Sequence, residues 1–378
     1  MFMAKKRRFF MGQIVVAIGF GMALASCLRP PTQARPLASH PTAAPSAPVL
    51  PPATEPPKVR QVTGLPASFS WISSDPLISA RPVEGLDLIA IKDPTIVRLD
   101  GRYHVYASSV ARGGIYGMVY TSFADWADAP KASLYPMKKT PGFDTYVAAP
   151  QLFYFTPKKQ WFLVFQSGPP MYSTANDPGD PSQWSPPMPF YPRTPKIIDD
   201  NGGWLDFWVI CDSAFCHLFF SDDHGRWYKS KTSLDRFPRG FGDPVVVMQD
   251  EEAGRLFEAC NVYKIKGTDK YLALIEAFDK SSHHARYFRS WTADSLEGPW
   301  TVLHDDARAP FAGKQNVTFA GTPWTENISH GEMVRAGYDE TMEIDGSRLQ
   351  YLYQGFVTGA NTSDYNAIPW QLGLLTLK

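Results

Sequence analysis

The chain has 378 residues, with 37 Lys and Arg against 37 Asp and Glu, so its formal net charge is zero. That balance speaks against a nucleic-acid partner, which needs a basic surface. Aromatic residues make up 14% of the chain, eleven Trp among them, which suits a large β-rich core and equally suits platforms for stacking sugar rings.

The N-terminus reads as a targeting segment. Lys5, Lys6, Arg7 and Arg8 precede an apolar run from Met11 to Ala25 that is short for a membrane span. The run ends Leu24-Ala25-Ser26-Cys27, the pattern of a bacterial lipobox, where small residues admit the peptidase and the Cys27 thiol takes the lipid. An ordinary cleaved signal is the alternative. Residues 1–26 are therefore the expected lipoprotein-type signal peptide, and 27–64 an anchored Cys followed by a Pro/Ala-rich linker. Ten prolines between residues 29 and 57 make that linker an extended spacer with nothing to bury. The expectation is an exported lipoprotein of the outer membrane, periplasm or cell surface, held to the membrane by its N-terminal lipid and monomeric.

From residue 65 onward short β-rich runs broken by turn signals dominate. Five of them are copies of one unit, beginning at Asp93, Ala149, Asp206, Glu258 and His330. Each copy is a strand, a polar turn such as Asp100-Gly101 or Asp345-Gly346, and a second strand rich in aromatics. A third strand with an aromatic and a Ser follows in most copies, as in Tyr120 with Ser122 and Tyr228 with Ser230. The starts are 56, 57, 52 and 72 residues apart, the period of a propeller blade. The predicted fold for residues 65–378 is all-β, a five-bladed β-propeller. A β-sandwich of similar length leaves the repeated three-strand unit unexplained.

Cys211 and Cys216 flank four residues that read as a hairpin tip. An exported compartment permits a disulfide there, but spacing alone leaves the bond open. Cys260 is then a free thiol, and no Cys/His spacing suits zinc.

The first residues of the five copies belong at the start of each innermost strand, where they converge on one mouth of the central channel. Three of the five are carboxylates: Asp93, Asp206 and Glu258. A single acid at a strand entry is usually just solvated. Three gathered in one pocket repel and raise one another's pKa, a cost that fits a catalytic set. Glycoside hydrolysis uses one protonated acid and one carboxylate acting on water or sugar. His330 has two readings, a structural hydrogen-bonding residue or a ligand of a metal on the axis.

At these residues the sequence resembles the α-L-arabinofuranosidases of glycoside hydrolase family 62. The resemblance is carried by Leu256-Phe257-Glu258-Ala259, Arg286-Tyr287-Phe288-Arg289-Ser290, Ile328-Ser329-His330-Gly331-Glu332, Leu352-Tyr353-Gln354-Gly355 and Asp364-Tyr365-Asn366. It implies a five-bladed propeller and an inverting enzyme that removes arabinofuranosyl side chains from arabinoxylan or a related plant polysaccharide. It implies Asp93 as general base, Glu258 as general acid, and Asp206 as the ionised group that tunes the acid's pKa and orients the sugar. It places Lys92, Tyr365 and Asn366 against the arabinose and a calcium ion near the axis, with His330 its candidate neighbour. Departures from the family pattern fall at Ser167, at Phe207-Trp208 and at Pro94, all expected near the pocket. A family 43-like glycosidase acting on arabinan or xylosides, and a non-catalytic glycan-binding surface lipoprotein, are the competing readings.

Overall fold

The structure, a computed structural model, describes residues 61–279 and 285–378. The expected signal peptide, the lipid attachment at Cys27 and most of the linker lie outside the described residues. Val62 and Leu65 are buried.

The described residues form five sheets, the five expected blades. Blade I is Leu88–Leu99, Arg102–Ala111, Ile115–Phe123 and Tyr135–Pro136, hydrogen-bonded in that order. Blade II is Ala148–Phe155, Gln160–Gln166, Pro170–Ala175 and Met188–Pro189, and blade III is Leu205–Cys211, Phe215–Ser221, Arg226–Ser233 and Val245–Gln249. Blade IV runs Glu258–Ile265, Tyr271–Asp279, Ala285–Ala293 and Thr301–His304. Each blade thus has a fourth, outer strand beyond the three read from the repeat. The first hairpin turns on Asp100 and Gly101, both at positive φ, 48° and 79°, as a two-residue turn matched to strand twist requires.

Blade V is built from both ends of the folded region. Ser329–Met333, Gln350–Gly355 and Gln371–Leu377 come from the C-terminus, and Trp71–Ser73 from the N-terminus pairs antiparallel with Gln371–Leu377. The ring is therefore closed by backbone hydrogen bonds between distant parts of the chain. Val317–Phe319 adds a parallel strand outside Trp71–Ser73, which accounts for the long interval before the fifth copy.

Every inner strand carries a bulge near its entry, two residues opposing one or three opposing two on the neighbouring strand. In blades I to IV one bulge residue is left-handed: Asp93 at φ 48°, Ala149 at 50°, Asp206 at 56° and Ala259 at 54°. Such a backbone costs about 1–3 kcal/mol in a non-Gly residue, and its repetition at one mouth of the channel marks a functional place. In blade V the bulge centres on His330, and Gly331 follows because a Cβ there would lie 2.1 Å from the Leu352 carbonyl oxygen. The repeat-equivalent residues are thus Asp93, Ala149, Asp206, Ala259 and His330. Glu258 stands one residue earlier, in the place of Lys92, which corrects the equivalence drawn from the sequence. A bulge also explains Pro94, since no ladder N–H is needed there.

The far end of the channel is plugged. Residues 334–349, which include the expected Asp345-Gly346 turn, pass beneath the inner strands of blades II, III and IV. The Tyr154 amide donates to Tyr338 O at 2.8 Å, Cys211 to Glu340 O at 2.8 Å and Lys264 to Met342 O at 3.2 Å. Arg335 enters the channel, with Nε 2.8 Å from Glu332 Oε1 and Nη2 donating to Leu152 O. Thr95 Oγ1 donates to Glu332 Oε2 at 2.5 Å and accepts from the Leu152 amide at 2.8 Å. Cys211 and Cys216 form the disulfide at this end of blade III, and Cys260 is a free, buried thiol.

Candidate active site

The open mouth gathers the bulges. Asp93 and Asp206 are both buried, and His330 Nδ1 lies between them, 3.4 Å from Asp93 Oδ1 and 3.5 Å from Asp206 Oδ2. The bulges are held by side chains of neighbouring blades. The Asp93 amide donates to Gln354 Oε1 at 2.6 Å, the Asp206 amide to Gln166 Oε1 at 3.0 Å, and the Ala259 amide to Asp206 Oδ2 at 2.9 Å. The last bond ties the middle carboxyl to the residue beside Glu258.

Lys92 is buried with its Nζ 3.6 Å from Asp93 Oδ2 and donating to Tyr365 Oη at 2.8 Å. Burial opposes its charge, but Asp93, Tyr365, Tyr116 and Glu258 outweigh burial and hold its pKa well above the usual Lys range. Tyr365 begins a short turn capped by Asp364. Asn366 follows on the same exposed turn, its side chain against Gly114 of blade I. Lys92 and Tyr365 therefore meet beside Asp93, while Asn366 sits on the rim.

Burial, then the charges of Glu258 and Asp93, push the Asp206 carboxyl well above the carboxylate range, against the Ala259 amide and Lys92.

Two residues that sequence reasoning did not assign to the site, Arg286 and Tyr146, complete the pocket. Arg286, from the third strand of blade IV, is buried and donates to Glu258 Oε1 at 2.5 Å and to Glu276 Oε1. Its guanidinium lies over the rings of Phe278 and Trp370, 5.0 and 5.4 Å from their centroids. Tyr146, exposed at the rim, packs 5.6 Å from Tyr116. Gln166 Nε2 donates to Tyr146 Oη and Ser167 Oγ to Tyr146 O, each at 2.7 Å. An aromatic ring thus stands beside the position where Ser167 offers none. Phe207, by contrast, is buried between Trp204 and Phe220 in the core of blade III and is no part of the pocket wall. Arg286 and Tyr146 carried sequence signals, within the Arg286–Ser290 stretch and just before the second copy, but no single-strand pattern shows that they face the acids.

Beside Arg286 opens a cavity of about 450 Å³ lined by Phe278, Phe356, Trp370, Glu326, Asn327 and Thr358. Its mixed aromatic and polar wall suits a sugar chain. Among the described residues no group of three or more His, Cys, Asp or Glu side chains is placed to hold a metal ion. Calcium takes six to eight oxygens. At this mouth it would meet the His330 imidazole and draw most of its shell from water, so the residues present do not make a calcium cage.

The arrangement is a closed-bottomed pocket with three carboxyl groups, two buried cations and an aromatic rim. The family model for glycosyl hydrolase family 62 matches residues 70–376. The chain is 42% identical over 321 residues to α-L-arabinofuranosidase C of Cellvibrio japonicus, an alignment covering 84% of this chain and 48% of that protein. It thus spans about half the length of that curated relative. The catalytic domain of a Coprinopsis cinerea family 62 α-L-arabinofuranosidase superposes with a TM-score of 0.80 at 49% identity, covering 83% of this chain and 98% of the other. A Podospora anserina α-L-arabinofuranosidase in complex with cellotriose gives 0.80 at 45% identity, with 84% and 99% covered. A family 62 hydrolase in complex with xylotriose gives 0.78 at 46% identity, with 82% and 97% covered. The chain belongs to glycosyl hydrolase family 62.

Proposed function

We propose that this protein hydrolyses α-L-arabinofuranosyl linkages with inversion, removing side chains from arabinoxylan or a related polysaccharide. The observation that carries the reading is the convergence of Asp93, Asp206 and Glu258 at the open mouth of a plugged channel, in a chain whose family 62 relatives are named α-L-arabinofuranosidases. A relative that holds xylotriose supports a xylan backbone as the polymer.

Asp93 accepts a proton from a water on one face of the arabinose ring. The water oxygen bonds to the anomeric carbon as the bond to the leaving oxygen breaks, and Glu258 passes its proton to that oxygen. The products are β-arabinofuranose and the polymer hydroxyl. Lys92 holds Asp93 and Tyr365 in place, and Asp206, bonded to the Ala259 amide, holds the strand entry that bears Glu258. Tyr116, Tyr146 and Tyr365 wall the sugar site, and the cavity beside Arg286 takes part of the chain that bears the side group.

The protein is read as exported and lipid-anchored through Cys27. The Cys211–Cys216 disulfide supports an oxidising compartment.

Proton NMR of arabinoxylan digestion tests the mechanism. The wild type releases β-arabinofuranose first, and Asp93→Asn and Glu258→Gln each lose about 10³-fold or more in kcat. First appearance of the α-anomer, or full activity in either variant, sinks the assignment.

A further inference from the structure

A continuous set of buried hydrogen bonds runs from the base to the acid across three blades. It starts at the Asp93 amide, which donates to Gln354 Oε1 at 2.6 Å. Gln354 Nε2 donates to Ser329 Oγ at 3.0 Å, and Ser329 Oγ donates to Glu276 Oε2 at 2.9 Å. The His330 amide donates to the same Glu276 oxygen at 2.7 Å. The other oxygen, Oε1, accepts from Arg286, which donates in turn to Glu258 Oε1 at 2.5 Å. Glu276 and Ser329 are fully buried, and Gln354 is 1% exposed.

We infer that Glu276 is the positioning residue of the reaction: one of its oxygens fixes Arg286 on Glu258, and the other fixes the His330 bulge that faces Asp93 and Asp206. The inference rests on the roles proposed for Asp93 and Glu258.

Three features support it. First, the geometry needs acceptors on both sides, since every partner of Glu276 is a donor. A Gln has one oxygen, so its amide nitrogen would meet a donor at Arg286 or at the Ser329 and His330 pair. Second, Glu276 is a charge partner for Arg286. Without it, the buried guanidinium would face Glu258 as an uncompensated cation and favour a carboxylate where the reaction needs a carboxylic acid. With it, Arg286 serves as a donor that orients Glu258 through Oε1, the oxygen it bonds. Third, the same side chain bonds Arg286 on the acid's blade and the blade V bulge whose His330 faces the base, so it helps set the gap in which the water fits. The charged and titratable groups facing Glu276 are Arg286, Glu258, His330 and Tyr351. Burial first, then Glu258, raises the Glu276 carboxyl pKa despite Arg286 and His330.

The test compares two leaving groups. Arabinoxylan leaves as a sugar hydroxyl and needs the acid's proton, whereas 4-nitrophenyl α-L-arabinofuranoside leaves as a phenolate and barely needs it. In Glu276→Gln, kcat on arabinoxylan falls about 10²-fold, the scale of general-acid catalysis, with little change in KM. On the nitrophenyl glycoside it falls only a few-fold, and Glu276→Asp, which keeps both acceptors, recovers part of the arabinoxylan rate. In the Gln variant the alkaline limb of the kcat profile on arabinoxylan also moves to lower pH. Equal losses on both substrates would show a structural role only and overturn the inference. If Glu276→Gln does not fold, Arg286→Lys is measured against the same pair, with the same contrast expected. Loss of fold in both variants also overturns it. A wild type that releases arabinose from neither substrate overturns the functional reading itself, so the two failures are distinguishable.

Discussion

Asp206 Oδ2 accepts the Ala259 backbone N–H at 2.9 Å, so the carboxyl of one blade is anchored to the left-handed bulge residue of the next. The bond joins the middle acid to the residue directly after Glu258. It also buries a carboxyl beside two others, and that has a measurable consequence for stability.

The folded-state pKa of Asp206 is raised, so folding binds its proton more tightly than the unfolded chain does. The carboxyl therefore lowers stability as pH rises above its unfolded value near 3.9, and the cost is in full force at pH above the folded pKa. Asp206→Asn, which keeps an acceptor for Ala259, should melt higher than the wild type at pH 7, by about 1 kcal/mol or more in stability. The gap should close as pH falls toward 4. Differential scanning calorimetry across pH checks this, and a variant melting lower than wild type at pH 7 contradicts it. The same variant should lose most of its activity on arabinoxylan.

Lys92 and Tyr365 should separate by kinetics. Tyr365→Phe removes the acceptor for Lys92 Nζ but leaves the ring, and should raise KM several-fold with a small change in kcat. Lys92→Met removes the cation beside Asp93 and should lower kcat about 10²-fold or more. Steady-state kinetics on arabinoxylan distinguishes the two, and an unchanged kcat in Lys92→Met would remove Lys92 from the mechanism.

The disulfide should matter for stability and not for turnover. Cys211 lies five residues beyond Asp206 on one strand, about 17 Å away, at the plugged end of the channel. Replacing both Cys211 and Cys216 with Ser should cost about 2 kcal/mol for so short a loop. Urea unfolding measures the loss, and kcat should stay within a factor of about two.

The plug should be sensitive to losing one partner. Glu332 and Arg335 are both buried in the channel, and Arg335→Met leaves Glu332 with only the Thr95 hydroxyl and the Ile96 backbone as partners. Removal of one member of a buried pair costs about 3–5 kcal/mol. A loss below about 1 kcal/mol by chemical denaturation would show that solvent already reaches the pair.

Five hairpins at a near-constant period were legible in the sequence, because each blade repeats the same alternation of buried aromatics and turn residues. The three carboxylates were legible too, along with Lys92 and Tyr365, because strand entries and family motifs are local. The place of Glu258 was one residue off, because a bulge changes register without leaving a residue signature: Ala259 and Asp206 look unrelated until their φ angles agree. Closure of the ring by Trp71 against Leu377, the passage of residues 334–349 under the channel, and the meeting of Glu276, Arg286 and Glu258 join residues tens to hundreds of positions apart. Sequence alone determined which groups line the blades and which acids stand at the strand entries of the channel mouth. Tertiary structure alone decided which donors face them, because hydrogen bonds between blades depend on how five sheets turn about one axis and not on the pattern within any strand.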